Sequence, residues 1–255
     1  DSEFDLIQDF FAGLDQSASV RLGIGDDAAA LSLPDGHVLH ISTDTAAEGV
    51  HFLASLSASD VAYRSVMAAA SDLAAMGATP EALLLALTLP EGDRVWLESF
   101  SQGLADACTA IGAPLVGGDT TRGPLSLTVT VLGSTPAEHY LTRTGAQPGD
   151  RLCASGTLGD AAAGLAVLSE QLSVDESVAA FLTTRYTRPA ARLALGEALR
   201  SCATSCIDVS DGLLAEAAHV ATASGVGLEI DSVLLPLSEA MGSLADSQLS
   251  LHWAL

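Results

Sequence analysis

The run Ser42-Thr43-Asp44-Thr45, followed by Glu48 and His51, gathers hydroxyls, carboxylates and an imidazole directly after the apolar stretch Val38 to Ile41. Read as residues just past a strand end, they offer hard oxygen atoms at close range, the ligand type that Mg²⁺ prefers. A surface turn has the same composition, so repetition decides what the run means. Aspartates recur beside glycines and hydroxyls at Gly25-Asp26-Asp27, Gly117-Gly118-Asp119-Thr120-Thr121 and Ile207-Asp208-Val209-Ser210-Asp211-Gly212. Asp72 adds a further carboxylate, late in an alanine-rich helical pattern, where it opposes the helix dipole unless a cation or donor offsets it.

Composition limits what such a set of acids can do. The 255 residues carry 32 acidic and 10 basic side chains, for a net charge of -22, and every basic residue is an arginine. Without lysine there is no phosphate-loop amine, no protein-kinase strand lysine and no Schiff base. So acidic a chain lacks the basic footprint that nucleic acid requires. If it handles phosphates, metal ions must supply most of the positive charge. At 49% hydrophobic and 16% charged it can bury a substantial core. Cys108, Cys153, Cys202 and Cys206 have no metal-ligand spacing and read as buried thiols. No secretory signal and no apolar run of membrane-spanning length is present, so a cytoplasmic protein without membrane association is expected.

The elements that must position these residues follow from periodicity. Phe4, Leu6, Ile7, Phe10, Phe11 and Leu14 predict an amphipathic N-terminal helix. Short strands are predicted at 20–24, 29–33 and 38–41, with Pro34-Asp35-Gly36 as a hairpin turn between the last two. Helices follow at 59–76 and 95–111. Strands are predicted at 83–89, 114–116 and 125–132, with Gly117 to Pro124 as a glycine-rich turn. Residues 137–149, which carry Gly145, Pro148 and Gly149 just after Pro136, are the predicted connection between an N-terminal domain, 1–136, and a C-terminal domain, 150–255. In the second domain, strands are expected at 152–154, 206–210 and 226–230, and helices at 161–172, 178–185, 191–200, 213–223 and 239–255. Asp211 occupies the position of a helix cap, and Asp208 and Ser210, two apart on a strand, would share a face.

These motifs, in this order and over essentially the whole chain, resemble the thiamine-monophosphate kinase family: Gly23-Ile24-Gly25-Asp26-Asp27-Ala28, Ser42 to Thr45 with Glu48 to Phe52, Ser71-Asp72-Leu73-Ala74-Ala75-Met76-Gly77-Ala78, Gly117 to Gly123 and Ile207 to Gly212. The resemblance implies an α+β, two-domain fold like that of aminoimidazole ribonucleotide synthetase. Its N-terminal strands would pair across a homodimer, and its C-terminal domain would be α/β and continue beyond Leu255. It implies ATP-dependent phosphorylation of thiamine monophosphate to thiamine diphosphate. By matching positions, Asp27, Ser42, Thr43, Asp44, Asp72, Asp119 and Asp208 would hold several Mg²⁺ ions, with Asp211 at another. Gly118, Asp119, Arg143 and Ser210 would touch ATP, and His51 the substrate. The family's Gly-Gly-Glu-Asp segment and terminal aromatic, which help bind the thiamine portion, would lie past Leu255.

The residue inventory suits that reaction. A phosphate monoester has a second pKa near 6 and is a competent nucleophile at neutral pH without a general base, so the expected roles are positioning and charge neutralisation. On the residues alone, a metal-dependent phosphohydrolase, another ATP-using member of the same superfamily and a non-catalytic divalent-cation binder remain alternatives.

Overall fold

The computed structural model describes residues 3–244 and 247–255. It divides into two compact units, Asp1–Tyr140 with Ala190–Cys202, and Leu141–Pro189 with Ala203–Leu255.

In the first unit, helix α1 (Glu3–Phe10) precedes a small antiparallel pair, β1 (Val20–Leu22) and β2 (Ala30–Leu31). Strand β3 (His37–Ala47), helix α2 (Ala58–Ala75), strand β4 (Thr79–Leu89), helix α3 (Arg94–Ile111), strand β5 (Leu115–Arg122) and strand β6 (Ser126–Pro136) follow. The four longer strands form one sheet in the order β3-β6-β4-β5, parallel only between β4 and β5. Because β2 pairs with β1 and β3 with β6, Pro34-Asp35-Gly36 joins two sheets and is not the expected hairpin turn.

Alternation along the strands separates two faces of the sheet. Leu83, Leu85, Leu87 and Leu89 of β4 and Leu127, Val129 and Val131 of β6 are buried in one core with Leu73 of α2 and Leu97, Phe100 and Leu104 of α3. Each such side chain contributes roughly 1.5–3 kcal/mol on burial. The two helices approach closely: a Cβ on Gly103 of α3 would lie 2.1 Å from the Ser59 carbonyl oxygen of α2. Ser57 starts α2 by accepting the Asp60 N–H at 3.1 Å, and Asp93 caps α3 through the Val95 and Trp96 N–H groups. On the other face, Leu39 and Ile41 are 41% and 63% exposed, and Leu84 and Leu132 are half-buried.

The second unit contains α4 (Asp160–Leu168) and α5 (Glu176–Thr187). The chain then contributes α6 (Leu193–Leu199) to the first unit, where it packs on the C-terminal end of α2. There Arg200 donates to the Gly77 carbonyl at 3.0 Å and Thr79 to Glu197 at 2.9 Å. Helices α7 (Leu213–Ser224), α8 (Glu239–Gly242) and α9 (Ser247–Ala254) complete the second unit. The expected helix over 239–255 is thus two short helices, and residues 245–246 between them lie outside the described residues.

The strands expected at 152–154, 206–210 and 226–230 do not form among the described residues of this unit. Their sequence alternation is strand-like, but a strand is held by a continuous ladder, and among the described residues the bond from the Cys206 N–H to the Thr142 carbonyl at 2.9 Å does not extend into one.

Candidate functional site

Strand β3 extends six residues beyond Ile41, so Ser42 to Thr45 lie inside a strand and not past its end. Pairing with β6 continues through Ala47↔Ser126 and satisfies that backbone. Period two then sorts the motif. Ser42 and Asp44, opposite Val131 and Val129, face the helices. Thr43 and Thr45 face the other way, with hydroxyls 2.9 and 2.8 Å from those of Thr130 and Thr128. The Thr43 side chain is therefore not grouped with its two neighbours.

Asp72 meets Ser42 from α2: the Ser42 hydroxyl donates to Asp72 Oδ2 at 2.5 Å. This supplies the donor that a carboxylate late in a helix requires. Burial pushes the Asp44 carboxyl above its ordinary value, the charge of Asp72 pushes it further, and His51 acts in the opposite direction. The two carboxylates thus share a site in which their charges are unfavourable to each other.

His51 sits in the turn that ends β3. Its backbone N–H donates to the Ala47 carbonyl at 2.9 Å, and its Nδ1 lies 3.1 Å from the Ala47 N–H, which donates to it. With Nδ1 an acceptor, the neutral ring carries its proton on Nε2. Phe52, only 3% exposed, anchors the turn in the core, and Arg64 of α2 reaches the His51 carbonyl at 3.4 Å.

A second group lies at the β5 end of the sheet. Gly117 to Arg122 are strand, not the expected turn, because β5 runs parallel to β4 through Leu89↔Arg122. The backbones come so close that a Cβ on Gly118 would sit 1.8 Å from the Leu85 carbonyl oxygen. Strand packing by itself therefore requires this glycine. Asp27, Gly118 and Asp119 line one cavity of about 860 Å³, with Gly25, Asp26 and Thr120 also on its wall. Asp26 belongs to the sequence motif but has no role assigned from it; its Oδ1 accepts the Asp27 N–H at 2.9 Å. The adjacent acid pair after Gly25 was the available signal.

Arg143, Asp208, Ser210 and Asp211 belong to the second unit. Arg143 is exposed, and its carbonyl accepts the Ser224 hydroxyl at 3.3 Å. Asp211 does not cap α7: the cap position is Gly212, with no side-chain cap bond. Instead the Asp211 N–H and the Ser210 hydroxyl both donate to Oε1 of Glu216, at 3.3 and 3.1 Å. Glu216 was missed from the sequence, where only its place in the first turn of a helix after Ser210-Asp211 marks it.

Among the described residues no three His, Cys, Asp or Glu side chains form a group that could hold a metal ion. The donor chemistry of Ser42, Asp44 and Asp72 nevertheless fits Mg²⁺. That ion is usually held by one or two carboxylates, with water and substrate phosphates completing its shell.

The first unit is thus a mixed sheet with two helices on one face and two carboxylates, Asp44 and Asp72, close enough to influence each other between strand and helix. Residues 25–135 match the model of the N-terminal domain of AIR synthase related proteins. The chain is 48% identical over 255 residues to thiamine-monophosphate kinase of Escherichia coli (strain K12), an alignment that covers 99% of this chain and 78% of that protein. It therefore belongs to the thiamine-monophosphate kinase family. The crystal structure of thiamine-monophosphate kinase from Stenotrophomonas maltophilia K279a superposes with a TM-score of 0.91 at 39% identity, covering 100% of this chain and 82% of that one. The structure of AaThiL complexed with AMPPCP and TMP superposes at 0.79 with 34% identity, covering 99% and 81%. The α+β fold expected from the resemblance is the fold of this family.

Proposed function

We propose that this chain transfers the γ-phosphoryl group of ATP to thiamine monophosphate, giving thiamine diphosphate and ADP. The observation that carries the reading is the meeting of Ser42, Asp44 and Asp72, with His51 within electrostatic reach of Asp44. Membership of the kinase family and the likeness to a relative complexed with AMPPCP and TMP support it.

The substrate phosphate is largely dianionic at neutral pH and attacks without a base. The obstacle is repulsion between that dianion and the ATP phosphates, in a chain with no lysine. Mg²⁺, when bound, supplies the neutralising charge that in-line transfer requires. Asp44 and Asp72 would hold it, with Ser42 fixing the rotamer of Asp72. Asp27 and Asp119 would hold further ions along their cavity, where Gly118 presents backbone alone to the nucleotide. Thr43 can contribute only its backbone to the group formed by Ser42 and Asp44. His51, with its proton on Nε2, donates a hydrogen bond to the anionic substrate and does not abstract a proton. In the second unit, matching positions in the family would give Asp208 and Asp211 to metal, and Arg143 and Ser210 to ATP.

The exposed apolar face at Leu39 and Ile41 favours a homodimer built on the β3 side of the sheet, because an uncovered edge and face of this kind invite pairing. All four cysteines are free, which suits a reducing, cytoplasmic setting; of the expected buried thiols only Cys108 is buried, while Cys206 is half-buried and Cys153 and Cys202, in segments outside the core, are exposed. Among the described residues no helix is long and apolar enough to cross a membrane.

The reading is tested by incubating the protein with ATP, Mg²⁺ and thiamine monophosphate. Thiamine diphosphate and ADP in equal amounts are expected. Free phosphate without diphosphate would make the protein a hydrolase, and no turnover would overturn the kinase.

A further inference from the structure

Glu216 is 5% exposed, yet it carries a carboxylate. Burial of such a group is unfavourable unless it is hydrogen-bonded. Its Oε1 accepts the Asp211 N–H at 3.3 Å and the Ser210 hydroxyl at 3.1 Å. The first contact alone would serve to start α7, since an N–H before a helix needs an acceptor. The second has no such purpose, because a serine hydroxyl at an exposed position can be satisfied by water.

Val209, Ser210 and Asp211 are all exposed, and none lies in a helix or strand. The Glu216 carboxylate is thus a buried point to which two consecutive exposed residues are tied. The bond also decides the polarity of Ser210. A hydroxyl has one proton, and with that proton directed at Glu216 only the oxygen lone pairs of Ser210 remain for a ligand.

We propose that Glu216 is a positioning residue for nucleotide binding. It presents the Ser210 hydroxyl as an acceptor, toward a ribose hydroxyl, an amino group or a metal-bound water, and it sets the backbone direction from which the Asp211 carboxylate projects. The proposal rests on the assignment of Ser210 to ATP and of Asp211 to metal made above.

The test is titration calorimetry of a non-hydrolysable ATP analogue with Mg²⁺, together with steady-state kinetics, on the wild type and on Glu216→Gln, Glu216→Asp and Glu216→Ala. Glu216→Ala is expected to weaken analogue binding about tenfold while the KM for thiamine monophosphate changes less than about twofold. Glu216→Gln keeps the Oε1 acceptor and should recover affinity to within about threefold of wild type, whereas Glu216→Asp, one methylene shorter, should not. Ser210→Ala added to Glu216→Ala should cost less than about twofold more, since the two act as a unit. If Glu216→Ala does not fold, the contrast between Gln and Asp decides alone. A lowered Tm with nucleotide affinity and both KM values unchanged would leave Glu216 a helix cap and overturn the proposal. Wild type that binds the analogue but fails to make thiamine diphosphate would overturn the kinase reading and not this one. Wild type that binds no nucleotide would overturn both.

Discussion

Ser42 on β3 and Asp72 on α2, thirty positions apart, are joined by a 2.5 Å hydrogen bond in which the serine hydroxyl donates to Oδ2. The bond orients a carboxylate at a helix position where it opposes the dipole. Asp44, on the same strand face, is pushed toward its neutral form by burial and by Asp72. Two carboxylates that disfavour each other's charge are stabilised when a cation lies beside both.

On the proposed function, in which Asp72 would hold Mg²⁺, Asp72→Asn should reduce phosphoryl transfer by at least about a hundredfold at ordinary Mg²⁺, since the site would lose a charge-bearing ligand. The apo protein should keep or raise its Tm, because a carboxylate opposing both Asp44 and the dipole is neutralised. Activity assays across a Mg²⁺ series and a thermal melt read the two effects. Undiminished activity would remove Asp72 from the metal site.

For His51 the expected outcome separates binding from chemistry. His51→Gln keeps a hydrogen-bonding side chain, so the KM for thiamine monophosphate should rise, by about tenfold, with kcat and the KM for ATP nearly unchanged. A large fall in kcat at saturating substrate, with loss of the acidic limb of the pH profile, would make His51 a general base instead.

The uncovered face of the sheet leads to a prediction about assembly. Ile41 is 63% exposed and Leu39 41%. Multi-angle light scattering should give a dimer for the wild type and a monomer for Ile41→Glu, because a carboxylate without a partner is strongly disfavoured in an apolar interface. A wild-type monomer at micromolar concentration, with turnover intact, would dismiss the homodimer.

Cys108 gives a prediction about alkaline pH. Burial pushes its thiol from an ordinary 9.0 up to about 11. The folded protein thus keeps a proton that the unfolded chain loses above about 9, so stability is full below that pH and falls as pH rises toward 11. Denaturant titrations at pH 8 and pH 10.5 should show wild type losing more stability than Cys108→Ala, by about 1–2 kcal/mol. Exposed Cys153 and Cys202 should react with iodoacetamide at pH 8 while Cys108 stays protected. An equal pH response in both proteins would contradict this.

The helices of the first unit were legible because their signals are local. Alanine-rich periodicity closed by Gly77 gave α2, and the apolar spacing of 95–111 gave α3. The strands were legible as runs but not in extent. Nothing local tells whether Ser42 to Ala47 or Gly117 to Arg122 continue a strand, because that depends on a partner ladder supplied by β6 and β4 from distant sequence.

The same division applies to the candidate site. Sequence alone determined which residue types are available to it: hard oxygen donors, no lysine, and a histidine near the principal acid motif. It could not determine which side of the sheet each donor takes, since one residue of register moves every side chain to the opposite face. Tertiary structure decided that Ser42 and Asp44 meet Asp72 while Thr43 turns away, that Gly118 is required by the Leu85 carbonyl, and that Glu216 gathers Ser210 and Asp211. Each of these depends on contacts between residues brought together by pairing or packing, and side-chain type carries no record of which partner will arrive.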